Sequence, residues 1–286
     1  KEIKQNEICS IFRGYERNNH NEVYVKLYSL NNLDKYDVLN QKIYNEIMNA
    51  DFLDVSFIVK PINYLKTQNN MYQVYDYYTE GSLRNLIQNN INVDIKYALH
   101  ICITLLEYFS IIHSNKVIHR NLKLSSVLIK GSDLYLTNFL NSVKLDNKNS
   151  SNEILLDNCL LYRAPESIST GIFSAKSDVY SIGVIFYELL MRAPPFNDSE
   201  ILDPKFENFE ISFNNYSRKQ EIPYIIQEFI KKLLEFDPLK RLDTFQALKY
   251  YKSKVKPYFY SIAQTTADSM FFYEFFTNCF NKNYKK

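Results

Sequence analysis

The stretch 177–190 is apolar almost all round, so a helix there has no face to give to water and must be enclosed by other elements. A chain of 286 residues with 46% hydrophobic content can supply that enclosure as one or two ordinary cores. A second segment, 95–113, spaces apolar residues at i, i+3 and i+4 and also reads as a helix. Before residue 80 the pattern changes. Short β-branched and aromatic runs at 22–27 and 71–77 read as strands, with a helical stretch at 36–50 between them. Two later runs, 127–129 and 134–136, are joined by the turn residues Gly131, Ser132 and Asp133 and read as a hairpin on the surface of the larger part. Polar 146–152 reads as a loop. The expected fold class is α+β, with a small β-rich lobe at 1–79, a large mainly α-helical lobe at 80–256 and an aromatic-rich extension at 257–286.

The formal net charge of +2 argues against a broad electrostatic footprint for nucleic acid or anionic lipid, so no nucleic-acid partner is expected. Cys9, Cys102, Cys159 and Cys279 are widely spaced, with neither a C-x-x-C pair nor a histidine cluster. This suggests free thiols, no metal site and a reducing, intracellular, cytoplasmic setting. Apolar stretches such as 180–190 fall short of the roughly 20 residues that cross a bilayer, so no membrane span is expected. The chain opens on Lys1, which reads as a segment excised from a longer protein.

A series of motifs carries a family resemblance. Val23-Tyr24-Val25-Lys26 resembles the V-A-I-K strand, with Glu46 on the following helix where the lysine's ionic partner belongs. Asp76-Tyr77, followed by Glu80-Gly81-Ser82-Leu83, resembles an interlobe hinge, which would make Tyr75 the gatekeeper. His119-Arg120-Asn121-Leu122-Lys123 is similar to the catalytic loop, with Ser126 where its asparagine stands, and Thr137-Asn138-Phe139-Leu140 aligns with x-D-F-G. Ala164-Pro165-Glu166, the helix start Ser177-Asp178-Val179-Tyr180 and Arg241 as the partner of Glu166 complete the order. The chain thus resembles a protein kinase catalytic domain of the tyrosine-kinase-like group. The resemblance implies the two-lobed kinase fold, with His119 and Phe139 packing between the lobes and Asp178 near the catalytic-loop backbone.

Phosphoryl transfer needs a carboxylate beside the attacking hydroxyl and Mg²⁺ held by a carboxylate and an amide oxygen. Asn121 stands at the base position, and loss of such a base typically removes about 10²- to 10⁴-fold. Asn138 and Ser126 replace the metal-binding groups, leaving no carboxylate for a hard cation. Of the glycine-rich loop only Gly14 remains, with Asn6, Cys9 and Ile11 near the expected glycine positions. Leu140 removes a flexible pivot from the x-D-F-G match. Positions 24 and 26 share a strand face, so if Lys26 faces the cleft, the ring of Tyr24 faces the adenine slot.

The expectation is a pseudokinase, catalytically inactive, acting as a scaffold or allosteric regulator of protein partners, with a true kinase as one candidate. No cofactor is expected, with weak ATP binding through Lys26 and Glu46 left open, and a slow kinase or a nucleotide switch as alternatives. Arg120 has two readings, a ligand for a phosphorylated Ser142, Ser150 or Ser151 or a locally paired side chain. The tail from 256 onward must be buried somewhere, against the large lobe or a partner.

Overall fold

The structure, a computed structural model, describes residues 2–5, 9–30, 33–145, 159–203, 206, 210–214 and 221–265. The small lobe is an antiparallel sheet of β1 (Glu2–Gln5), β2 (Ser10–Tyr15), β3 (Glu22–Ser29), β4 (Asn63–Lys66) and β5 (Asn70–Asp76), ordered β1-β2-β3-β5-β4. Helix α1 (Leu33–Leu53) crosses between β3 and β4. In β3 the pleat sends Tyr24, Lys26 and Tyr28 to one face and Val23, Val25 and Leu27 to the other. Register pairs Tyr24 with Tyr75 and Lys26 with Gln73.

The large lobe follows as α2 (Leu83–Gln88), α3 (Ile95–Ser114), β6 (Val117–Ile118), β7 (Val127–Lys130), β8 (Asp133–Leu136), β9 (Val143–Lys144), α4 (Pro165–Ser169), α5 (Ala175–Met191), α6 (Asp198–Ile201), α7 (Tyr224–Leu233), α8 (Thr244–Tyr250), a π turn (Tyr251–Val255) and α9 (Lys256–Thr265). The two-lobed α+β architecture is the expected one, and strand and helix positions follow the sequence pattern to within a few residues.

Helix α5 is enclosed as its composition requires, with every residue from Ser177 to Met191 buried. Its start is fixed by Ser174, which accepts from the Lys176 N–H, while Ser177 accepts from the Ser174 N–H in return. Gly183 is the point of closest approach to α7. A Cβ there would lie 2.9 Å from both Leu233 Cβ and Leu234 Cδ2. Beneath α5, Arg241 is fully buried, donating to both carboxylate oxygens of Glu166 at 2.8 and 2.9 Å and to the carbonyls of Glu235 and Lys176.

One sequence expectation needs correction. Only the turn of the β7–β8 hairpin, at 130–133, is a surface feature: Val127, Ile129, Leu134 and Leu136 are buried, and Leu136 exchanges backbone hydrogen bonds with Phe57 and Val59 at the seam between lobes. Helix α3 is long and apolar enough to cross a membrane by length and composition, which the shorter runs considered from sequence were not. Ten of its residues, from Ile95 to Ile112, are buried in the large-lobe core, which accounts for its apolarity without a bilayer. Residues 257–265 belong to α9, whose Phe259 packs on that core, whereas 266–286 and the loop at 146–152 lie outside the described residues.

Gly183→Ala is expected to cost about 1–3 kcal/mol through overpacking against Leu233 and Leu234. Thermal unfolding checks this, with a Tm a few degrees below that of the parent as the expected result.

Candidate functional site

The site is built where β3, β5 and α1 of the small lobe face the 119–142 segment of the large lobe. Lys26 is buried, and its Nζ donates to Glu46 Oε1 at 3.1 Å and to Asn138 Oδ1 at 3.4 Å. The ammonium also lies 5.0 Å from the ring centroid of Tyr75. Tyr28 donates to the other oxygen of Glu46 at 3.4 Å, so both carboxylate oxygens are used.

Tyr24 stacks on Tyr75, with centroids 4.8 Å apart and planes at 7°. Its hydroxyl end lies toward the Thr137 side chain, which lines the same cleft, and burial pushes the phenol pKa well above its ordinary value. Tyr75 in turn donates to Gln73 Oε1 at 2.8 Å. A column of side chains therefore runs from the small-lobe sheet to the residue preceding Asn138.

The catalytic-loop positions are tied to one another. Ser126 is fully buried and donates its hydroxyl proton to the Asn121 carbonyl at 3.0 Å. Its own carbonyl accepts from the Thr137 N–H at 3.0 Å. Asn138 adopts the left-handed conformation, φ 68°, which asparagine tolerates better than most side chains and which turns its amide oxygen toward Lys26. Leu140, at the expected pivot, is buried with Tyr28, Leu30, Leu39 and Ile43 in the small-lobe cluster. A large-lobe side chain thus inserts beneath α1.

His119 and Phe139 lie between the lobes, edge to face at 4.6 Å. Asp178 accepts from the backbone N–H groups of His119 and Arg120 at 2.9 and 3.0 Å. Arg120 donates to the Asn141 carbonyl, the locally paired of its two readings. Ser142 corrects the other reading, being buried with its hydroxyl donated to the Phe139 carbonyl and accepting from Asn49 Nδ2 at 2.9 Å. Ser150, Ser151 and Asn6 lie outside the described residues.

In front of Tyr24 an open cleft of about 620 Å³ remains, lined among others by Ile11, Lys26, Tyr77, Leu128, Asn121 and Asn138. Cys9 also reaches its rim. At Gly14 an added Cβ would meet only Val23 Cγ2, at 4.0 Å, so no tight backbone approach demands the glycine. Among the described residues, no group of three or more His, Cys, Asp or Glu side chains gathers as a cation site. The structure thus brings Tyr24, Lys26, Glu46, Tyr75 and Asn138 together, sets Asn121 and Ser126 on the facing loop and places Tyr77 at the cleft wall. Sequence reasoning passed over Thr137, the neighbour of Tyr24, and the packing of Leu140. An aromatic residue at 24 and an apolar one at 140 were visible signals; their partners were not.

A buried lysine–glutamate pair on strand and helix, facing a loop anchored by a helix aspartate beneath a two-lobed cleft, is protein-kinase architecture. The chain belongs to the protein kinase domain family, whose model matches residues 3–251. It is 26% identical over 235 residues to Aurora kinase C of Mus musculus, covering 82% of this chain and 83% of that protein. It is 27% identical over 195 residues to serine/threonine-protein kinase 33 of Bos taurus, covering 64% of this chain and 40% of the bovine protein's length.

His119 makes the site pH-sensitive. Its Nδ1 accepts from the Asn121 N–H at 3.2 Å and its Nε2 faces the Thr137 carbonyl at 3.1 Å, an arrangement that suits the neutral ring. Burial holds its pKa below the ordinary 6.5, against the opposing pull of Asp178. The unfolded chain therefore takes up a proton that the folded chain refuses. The stabilising contribution is complete above pH 6.5 and declines as pH falls through that value toward the folded pKa. Denaturant titrations from about pH 7 to pH 5 should show falling stability, with a shallower slope in His119→Gln. His100, also held low by burial, supplies part of the remaining slope.

Proposed function

We propose that this domain is a pseudokinase, a kinase-fold module that acts by binding protein partners and regulating them allosterically rather than by transferring phosphate. The observation that carries this reading is the Tyr24 ring, which stacks on Tyr75 and lines the cleft on the side where the resemblance puts adenine.

The polar groups support the same reading. Asn138 offers a neutral oxygen that already accepts from Lys26, and the Ser126 hydroxyl is donated to the Asn121 carbonyl. Magnesium favours anionic oxygens in strict octahedral geometry, and these residues do not fit it. Asn121 has no useful proton affinity near neutral pH to act as a base. The lysine–glutamate pair survives because a buried ion pair that loses one member leaves an uncompensated charge.

Partners on this reading are proteins, a catalytically competent kinase among them, in the cytoplasm. Asp76-Tyr77 at the hinge favours the tyrosine-kinase-like group, while the two relatives above are serine/threonine or Aurora kinases by name. A second reading, a nucleotide-binding switch without turnover, draws on the intact Lys26–Glu46 pair and the open part of the cleft.

Calorimetric and thermal-shift titrations with ATP, with and without Mg²⁺ or Mn²⁺, separate these readings. The parent protein is expected to show no shift and Tyr24→Ala to gain nucleotide binding. Clear binding by the parent would favour the switch. Metal-dependent phosphorylation by the parent, abolished in Lys26→Met, would overturn both.

A further inference from the structure

Helix α8, the π turn and α9 run without a break from Thr244 to Thr265. One side of this run belongs to the large-lobe core. Ala247, Tyr251 and Val255 are buried in it, and Leu248, Tyr250 and Phe259 pack against it. The run also carries Lys249, Lys252, Lys254 and Lys256 and holds neither Asp nor Glu. The chain as a whole balances 34 basic side chains against 32 acidic ones, so a net charge of +2 conceals this local excess.

Lys249, Lys252 and Lys254 are exposed and Lys256 is half-buried. Phe245 stands one turn before Lys249, at i and i+4 on the outward side, and is 75% exposed. Lys256 lies 5.6 Å from the ring centroid of Tyr260, and Lys232, from the end of α7, lies 5.4 Å from that of Tyr250. Glu107 of α3 and Glu228 of α7 flank the run, the first facing Lys252 and the second Tyr250. Asp243, just before it, is spent on the helix cap, accepting from the Gln246 N–H at 2.7 Å.

The shape of this basic face limits what it can receive. A helix whose inner half is built into a core presents a convex outer half. A peptide gains affinity from a groove or a free sheet edge, and duplex DNA takes up a helix that projects from its domain into the major groove. An embedded helix offers neither. It does suit a plane of negative charge. Lysine stems lie along such a plane with their ammonium groups at the phosphates, tyrosines settle at headgroup level, and a large apolar ring among them enters the acyl boundary.

We propose that the face between Phe245 and Tyr260 docks the domain on an anionic lipid bilayer, with Lys249, Lys252 and Lys254 at the headgroups and Phe245 inserted below them. The contact is peripheral and leaves the apolar α3 in the core. It is independent of whether the cleft binds nucleotide.

The test is co-sedimentation of the full 286-residue chain with vesicles. The parent is expected to pellet with vesicles of mixed phosphatidylcholine and phosphatidylserine but not with phosphatidylcholine alone. Raising the salt from about 0.1 M to about 1 M, which shortens the Debye length from roughly 10 Å to 3 Å, should release it. Lys249→Ala with Lys254→Ala should weaken binding about 25-fold, at about fivefold for each lysine near the surface. Lys66→Ala with Lys130→Ala removes the same charge elsewhere and should leave binding unchanged. All four lysines are exposed, so unfolding midpoints close to that of the parent separate lost docking from lost fold.

A second readout places the contact. The chain contains no tryptophan, so Phe245→Trp supplies a single fluorescent reporter. Its emission should shift to the blue on phosphatidylserine vesicles and be quenched by brominated acyl chains. Tyr64→Trp, at a position 60% exposed on the small lobe, should show neither effect. Failure to bind phosphatidylserine vesicles, binding indifferent to Lys249 and Lys254, an unmoved spectrum in Phe245→Trp, or tighter binding to duplex DNA or polyglutamate than to the vesicles would each overturn the proposal.

Discussion

The ion pair between Lys26 and Glu46 sets the terms for the rest of the small lobe. Both side chains are almost wholly removed from water, and taking two charges out of water costs several kcal/mol each unless their remaining hydrogen-bonding capacity is met inside the protein. Tyr28 meets the second carboxylate oxygen, while Asn138 and the face of Tyr75 meet the ammonium. Those partners come from β3, β5 and the large lobe, so the pair can be satisfied only when α1 lies inward and the lobes are closed. Asn49 bonding to Ser142 and Leu140 inserted among Leu39 and Ile43 hold the same arrangement from the other end of the helix.

The changed catalytic positions make sense as members of that closed arrangement. Buried polar groups must find partners, and a position released from chemistry is free to take a structural one. The Ser126 hydroxyl ties the catalytic loop to itself through the Asn121 carbonyl. Asn138 offers Lys26 an oxygen without adding a second buried carboxylate beside Glu46. Tyr24 adds apolar area stacked on Tyr75 at the cleft. Each change replaces a group suited to a charged ligand by one satisfied within the chain.

Much of this was legible in the sequence because periodicity and motif order report which face of an element is buried. The enclosure of α5, the placement of Lys26 with Tyr24 on one strand face and the pairing of Glu166 with Arg241 all follow from such reasoning. Periodicity does not report what a face is buried against. The β7–β8 hairpin reads as an ordinary surface turn, because nothing local shows that Phe57 and Val59 of the small lobe bond to its far strand. Ser142 looks like any loop hydroxyl until Asn49, far away in sequence, closes over it. Leu140 was visible as a missing glycine, but its role beneath α1 depends on Tyr28, Leu39 and Ile43 arriving from elsewhere in the chain.

Lobes bridged by the chain's own side chains change what regulation can act on. A ligand shifts a conformational equilibrium only by the difference in its affinity for the two states. When Tyr24 with Thr137, Leu140 and the Lys26 pair already bridge the lobes, a nucleotide entering the front of the cleft has little closure left to drive. On the proposed reading, the cleft acts as a structural element that holds α1 inward. A surface held in one form loses little conformational entropy when a partner covers it, which favours recognition there over recognition by a mobile segment. On that reading the interior keeps the exterior of the small lobe in a single presented form.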